Sequence, residues 1–528
     1  MIEAGAEYEL EIESVSSDGN GVGHIDGMAV FVPLTAAGDR IRARIVRAKR
    51  SYAEAELLSI VRPSADRTEP LCGHFYECGG CALMHMSYEA QLRAKRGMIE
   101  NAMRRIGGFA YFALNSMTGA ENTLRYRNKT IFHAGEKNGA PIFGFYAPKS
   151  HRVIPLRDCP IGAEENKALI AAVTEYISET GAKVQSLFTR RSRKSGEVMA
   201  VICADRELPG KDGLVSHLRA ALPQLSCVTE SVRRGRREIK RVLFGKGYIE
   251  DELLGISYRI SPDSFFQINP EMTEKLYTKA IELADISSGD SVMDIYCGIG
   301  TISLTAAKKA ARVTGIEIVE QAIADAKENA ARNGIENAEF HASSAEDIVP
   351  ALTERGERPD IVILDPPRKG SDEKTIEAIL KSAPKRIVYV SCSPSTLARD
   401  AKALRDGGYE IREAHGFDMF PNTNHVETVC LLSKLKSSEH IDVELSMDEL
   451  DLTAAEKKAT YQEIKDYVLE HYGLKVSQLN IAQVKRKCGI IERENYNKPK
   501  SEDSKQPNCT QEKEDAITET LKHFGMIE

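Results

Sequence analysis

Residues 263–438 alternate short apolar runs with amphipathic helical ones, and few folds accommodate that rhythm. Strands are predicted over 291–296, 312–316, 360–364 and 386–391, and helices over 301–311, 320–333 and 374–383. Runs that are apolar throughout must be buried on both faces, so helices cover both sides of a mostly parallel sheet. The expected class is α/β, a Rossmann-like open sheet closed by an antiparallel pair at 416–419 and 425–433. Such sheets bind ligands at the carboxyl ends of their strands, which is where the informative residues fall.

The first strand, Val292-Met293-Asp294-Ile295, runs into Tyr296-Cys297-Gly298-Ile299-Gly300-Thr301. Gly298 and Gly300 let backbone approach a ligand closely, but a dinucleotide fingerprint would need a third glycine where Ser303 stands. Glu317 ends the next strand, 23 residues after Asp294, placed to bind ribose hydroxyls. With no P-loop lysine, the pattern fits S-adenosylmethionine better than a nucleotide phosphate. Cys297 reads as a thiol packing the loop. Two further strand ends carry reactive groups: Leu364-Asp365-Pro366-Pro367-Arg368 and Ser391-Cys392-Ser393-Pro394. Glu427 begins an otherwise apolar strand, and His425 reads as the start of that strand rather than an orienting partner. Cysteine, carboxylate and methyl donor together have a specific meaning for pyrimidines. C5 of uracil is a poor nucleophile until a thiolate adds at C6, and a base must later remove the C5 proton. Cys392 is therefore the expected nucleophile and Glu427 the expected general base.

The remainder divides by composition. Residues 1–62 read as short strands with turn clusters, which suggests a small β-barrel. One strand sets Arg40, Arg42 and Arg44 on one face, followed by Arg47, Lys49 and Arg50, either a solvated edge or an RNA-facing strip. Residues 63–262 are mixed α/β, with a basic helix over 88–107 and basic knots at 190–194 and 233–241 that suit hairpin tips. Together these offer a phosphate track. Residues 439–528 form an acidic extension with helices predicted over 454–471 and 478–488. Of the chain's 71 basic and 78 acidic side chains, 13 and 19 fall there, so the body before it is near neutral and net charge excludes no nucleic-acid role. Lys485-Arg486-Lys487 in the extension reads as a solvated helix face. The start Met1-Ile2-Glu3-Ala4 lacks a signal-peptide pattern, and no apolar run is long enough to cross a membrane. A cytoplasmic location, no membrane partner and a monomer are expected. Cys203, Cys227, Cys430, Cys488 and Cys509 read as plain thiols. Cys72-x5-Cys78-x2-Cys81, with Cys159 downstream, offers four thiolates suited to tetrahedral zinc or a 4Fe–4S cluster.

Five motifs in order resemble the RNA 5-methyluridine methyltransferases of the RumA type, which are 23S rRNA (uracil-5-)-methyltransferases. They are Ser264-Phe265-Phe266-Gln267-Ile268-Asn269, Asp294 to Gly300, Asp365-Pro366-Pro367-Arg368, Ser391-Cys392-Ser393-Pro394 and His425-Val426-Glu427-Thr428. The resemblance covers about residues 1–436. It implies that Gln267, Tyr296, Glu317 and Asp365 contact S-adenosylmethionine, and it agrees with the roles given to Cys392 and Glu427. It makes the N-terminal strands an OB-like TRAM barrel that binds RNA, which favours the RNA-facing reading of the arginine strip. It implies an iron–sulfur-binding central domain, with 4Fe–4S on Cys72, Cys78, Cys81 and Cys159 favoured over zinc. Many methyltransferases place an acid after the fourth strand, near adenine, where the matching stretch here is Ala342-Ser343-Ser344-Ala345. Arg368 in place of an aromatic after Asp-Pro-Pro favours methylation of carbon over exocyclic nitrogen. The barrel and the cysteines point to 23S ribosomal RNA within the family. The alternatives are the same chemistry on a tRNA uridine, an RNA cytosine-5 methyltransferase, and a non-catalytic RNA-binding or ribosome assembly protein.

Overall fold

The computed structural model describes residues 2–434 apart from 236, residues 461–488, and residues 510–527 apart from 525. The chain divides into two compact units, residues 1–439 and 440–528.

The first unit opens with a six-stranded sheet built from residues 7–62. Strict alternation along Arg40–Ala48 sends Ile41, Ala43 and Ile45 inward onto Leu10, Ile12, Val30 and Val32, and turns Arg40, Arg42 and Arg44 outward. The outward arginines are not a free cationic strip. Arg40 pairs with Glu9, Arg42 with Glu7, and Arg44 with both Glu7 and Glu56, so the face is largely neutralised across the strands. A seven-stranded sheet follows within residues 129–245, covered on one face by helices Asn166–Thr180 and Lys211–Ala221. Both basic knots are hairpin tips of this sheet, as expected. Arg190 differs from the expectation of a surface residue. It is buried, it donates to the carbonyls of Ser261 and Ser264, and burial lowers its pKa to about 10.

The third layer is an eight-stranded sheet whose main strands we number β1 (Ser291–Ile295), β2 (Arg312–Glu317), β3 (Ala338–Ala342), β4 (Ile361–Leu364), β5 (Arg386–Ser391), β6 (Tyr409–Phe417) and β7 (Glu427–Lys434). Their spatial order is 3-2-1-4-5-7-6, with β7 antiparallel between β5 and β6. Strand order reverses between β1 and β4, and a crevice opens there at the carboxyl ends. The expected closing pair is present but longer at its first strand, and β7 begins at Glu427, so His425 lies in the loop before it. Helices Ala345–Glu354 and Pro394–Asp406 were not anticipated.

Helix Tyr88–Arg105 and strand Ser116–Thr118 leave the central part of the chain to join this sheet. The strand pairs with β6, and Ile99 and Met103 enter the sheet's core. The helix's basic residues therefore serve packing more than phosphate. Arg93 pairs with Asp66, Arg96 and Arg104 with Glu100, and Lys95 is fully buried against Asp418 at 2.5 Å. Lys95 also donates to the carbonyl of Phe420 at 3.0 Å.

In the second unit, helices Tyr461–Tyr472, Gln478–Lys487 and Gln511–His523 bury Ile464, Val468, Ile481, Val484, Ile517 and Leu521 together. The last helix is an addition to the sequence reading, and residues 454–460 of the predicted first one lie outside the described residues. Lys485 is buried and so departs from the solvated face expected of it, whereas Lys487 stays exposed and pairs with Glu514 at 2.6 Å.

The Lys95–Asp418 pair yields a stability prediction. Lys95→Ala strands a buried carboxylate and should cost about 3–5 kcal/mol, whereas Lys95→Met with Asp418→Leu should restore most of the loss. Urea melts of the three proteins measure this directly; equal losses in single and double variants would contradict it.

Candidate active site

The crevice at the sheet's switch point is a cleft of about 550 Å³. Gln267, Tyr296, Gly298, Glu317, Asp365, Cys392 and Glu427 all line it, although they come from six separate stretches of chain. Gly300 caps helix Thr301–Ala307 at φ +84°, and a Cβ there would meet the ring of Phe340 at 3.2 Å. Gly298, at φ +56°, donates its N–H to Glu317 at 3.3 Å, and Val319 N–H donates to the other carboxylate oxygen at 3.0 Å. The loop thus fixes the Glu317 carboxylate at the end of β2.

Asp294 lies beneath the cleft instead of lining it. Ser303 Oγ donates to one of its oxygens at 2.5 Å, the other has no partner, and burial raises its pKa to about 7. Asp365 is raised to about 7 as well, first by burial and then by Asp294. Gln267 is held from both ends, its carbonyl accepting from Asn128 Nδ2 at 3.0 Å and its side chain approaching the Tyr277 hydroxyl at 3.4 Å.

Cys392 follows β5 directly, and its thiol is pushed up to about 12 by burial, with the Glu427 and Asp365 carboxyls adding to the shift and Arg368 opposing it. Burial also drives Glu427 well above the usual carboxylate range, with Asp365 adding and Arg368 opposing. A protonated thiol and a high-pKa carboxyl share one water-poor cleft, with a single guanidinium facing both. His425 corrects the reading of a mere strand start. It lines the cleft, its Nε2 lies 3.2 Å from Arg368 Nη2, and burial lowers its pKa to about 4, so the ring is a neutral acceptor for Arg368. The sequence reading also missed Glu346. Ala342-Ser343-Ser344-Ala345 carries no acid, but the turn into helix Ala345–Glu354 brings the carboxylate of Glu346 to the cleft wall. Phe265, 59% exposed, and Phe420 supply aromatic surface at its edge.

A second cavity, about 110 Å³, gathers Cys72, Cys78, Cys81 and Cys159 among Phe75, Met84, Phe145, Leu156 and Ile161. Burial raises Cys81 to about 12, with the neighbouring thiols adding and Arg127 opposing. Among the described residues no three of these sulfurs lie within 4.8 Å of one another. The plain thiols Cys227 and Cys430 are buried and Cys203 and Cys488 half-buried, while Cys509 lies outside the described residues.

The tRNA (uracil-5-)-methyltransferase family matches residues 87–435, and a TRAM domain matches residues 3–58. The chain belongs to the tRNA (uracil-5-)-methyltransferase family. It is accordingly an S-adenosylmethionine-dependent RNA (uracil-C5) methyltransferase with an N-terminal TRAM domain. It is 40% identical over 440 residues to an uncharacterized RNA methyltransferase of Halalkalibacterium halodurans, spanning 80% of this chain and 96% of that one. It is also 40% identical over 450 residues to an uncharacterized RNA methyltransferase of Caldanaerobacter subterraneus subsp. tengcongensis, spanning 82% and 99%. Among solved structures it resembles the Pyrococcus abyssi tRNA (uracil-54, C5)-methyltransferase in complex with S-adenosyl-L-homocysteine. The TM-score is 0.65 at 27% identity, over 80% of this chain and all of that one. The family match ends at residue 435, so the C-terminal helical unit falls outside it. Among the described residues no helix is long and apolar enough to cross a membrane.

The raised thiol gives a pH prediction. Alkylation of Cys392 in the cofactor-free enzyme should climb about tenfold per pH unit from 7 past 10, where an ordinary thiol levels off near about 8.5. Peptide-resolved iodoacetamide kinetics test this, and a plateau below pH 9 would contradict it.

Proposed function

We propose that this enzyme methylates C5 of a uridine in 23S ribosomal RNA through a covalent bond between Cys392 and C6 of the base. The observation that carries the reading is the convergence of Cys392, Glu427 and Asp365 on one cleft that also holds the Gly298–Glu317 loop. Gln267, Tyr296, Glu317 and Asp365 would hold S-adenosylmethionine, with Asp294, Gly298 and Gly300 shaping the loop beneath it, and the bound cofactor supplies an electrophilic methyl group. Cys392 gives its proton to solvent as its sulfur adds to C6, leaving Glu427 ionised, and the electron pair of the C5–C6 bond moves to C5 and O4. C5 then takes the methyl group. Glu427 removes the remaining C5 proton, the C5–C6 double bond re-forms, and the Cys392 sulfur leaves as thiolate. A carboxyl with a raised pKa is a stronger base once ionised, which suits a proton held on carbon. The target base must leave its stack to reach the thiol, and Phe265 and Phe420 offer it aromatic surface.

The four-cysteine cavity suits a 4Fe–4S cluster better than zinc. Cys72-x5-Cys78-x2-Cys81 with Cys159 downstream is the spacing on which the enzymes it resembles carry an iron–sulfur cluster. Cys72, Cys78, Cys81 and Cys159 would hold the cluster in an apolar shell. Its role is structural, because the methyl transfer moves no electron through it.

A tRNA uridine is the second reading, and one observation favours it: the Pyrococcus abyssi protein, named for a tRNA uracil, is similar over 80% of this chain.

Two measurements decide these points. Labelled S-adenosylmethionine with unmodified 23S rRNA should give 5-methyluridine that disappears in Cys392→Ala. Product on tRNA alone would discard the rRNA assignment, and 5-methylcytidine would discard the uracil. Cys81→Ser should lose bound iron and weaken RNA affinity while S-adenosylmethionine binding persists. Unchanged fold and RNA affinity with altered chemistry would overturn the structural role.

A further inference from the structure

A cavity of about 210 Å³ lies beside the catalytic cleft, lined by Arg125, Arg127, Arg191, Arg193, Asn128 and Asn269. Arg125 and Arg127 come from the stretch before strand Lys129–Lys137, and Arg191 and Arg193 from the tip of the hairpin that ends in Val198–Ala204. Asn269 caps helix Pro270–Ala284, so that helix also turns its amino end toward the cavity. Three of the arginines have carboxylate partners: Arg125 with Asp158 at 2.6 Å, Arg191 with Glu165 at 2.9 Å and Arg193 with Glu274 at 3.0 Å. Glu271 adds another carboxylate to the wall, itself bound by Asn122 and Lys275. Arg127, which lines the four-cysteine cavity as well, has no carboxylate partner among the described residues, and its Nε is buried without a hydrogen-bond acceptor. Asn128 is 8% exposed, and its Oδ1 is buried without a donor.

A buried unpaired donor on a cation beside a buried unpaired acceptor costs free energy unless something fills both. The ligand that fits offers an anionic oxygen and a hydroxyl donor close together. An RNA phosphodiester with its neighbouring ribose 2′-hydroxyl has that chemistry, and DNA lacks the second part. Position supports the same ligand. Asn128 N–H donates to Ile268 O at 2.8 Å, and its Nδ2 donates to Gln267 O, so the cavity and the cleft share one wall. We infer that this cavity is a backbone phosphate site that seats the RNA strand next to the target nucleotide. Arg127, Arg191 and Arg193 face the phosphate, and Asn128 accepts from the ribose. The inference rests on the RNA substrate and not on which RNA it is.

The test uses the full-length enzyme and the RNA on which wild type is first shown to transfer methyl. No transfer by wild type would count against the functional reading and leave the cavity unjudged, so the two failures are distinct. Each phosphate flanking the target uridine is then replaced in turn by a neutral methylphosphonate. One position should lose about tenfold in affinity with wild type and less than about twofold with Arg191→Gln/Arg193→Gln. That variant should also lower the salt slope of RNA binding by about 0.7 while binding S-adenosylmethionine as wild type does. An Arg193→Gln single variant, with an intermediate loss, guards against misfolding of the double. Equal losses in variant and wild type at every position, with an unchanged slope, would overturn the proposal. Stabilisation by inorganic phosphate without coupling to any position would make the cavity a free-anion site and overturn it equally.

Discussion

The loop from Asp418 to His425 is the constraint on which the rest of the molecule turns. Four successive carbonyls in it are held by groups from elsewhere: Met419 by Asn269 Nδ2, Phe420 by Lys95 Nζ, Pro421 by the Tyr126 hydroxyl and Asn422 by the Leu83 N–H. Gln91 exchanges two hydrogen bonds with Asn422, and Asn424 reaches Ser17 in the barrel. A loop this buried has no water to satisfy its backbone, so every partner must be in register at once. The buried Lys95–Asp418 pair shows the cost accepted for that order, because charge is desolvated where an apolar pair would pack.

That loop links parts of the chain that look separate in the sequence. Tyr126 packs with Cys72, Cys81 and Cys159, and Phe420 and His425 face the catalytic cleft. Helix Tyr88–Arg105 likewise turns Lys95 inward and pairs Arg93, Arg96 and Arg104 with carboxylates nearer the surface. Basic residues that suggest phosphate contacts hold the scaffold, while Arg127, whose Nε is buried without an acceptor, lines both the four-cysteine cavity and the arginine cavity.

The electrostatics of the cleft follow from the burial of its ionisable groups. Asp294, Asp365, Glu427 and Cys392 all have raised pKa values, with burial the first cause in each case. Four groups that resist ionisation form a site built for a cationic cofactor, since a sulfonium beside them favours their charged forms. Arg368 tempers this locally, at the thiol and at Glu427.

Much of the site was legible in the sequence because its residues sit at strand ends. Cys392, Asp365 and Glu317 terminate apolar runs, and a parallel sheet brings its carboxyl ends together whatever the loops do. The alternation 3.6 against 2 likewise sufficed for the N-terminal strands and for much of the strand–helix order, but not for helices Ala345–Glu354 and Pro394–Asp406. Charge was not legible. Arg40, Arg42 and Arg44 looked like a cationic strip, and Arg190 and Lys95 like parts of a phosphate track. Whether a guanidinium meets a phosphate, a glutamate or a carbonyl depends on partners 30 to more than 300 residues away. Glu346 and His425 were missed for the same reason, since a turn and a loop aim them into the cleft. Periodicity determines which face a residue takes; only the tertiary structure decides what stands opposite it.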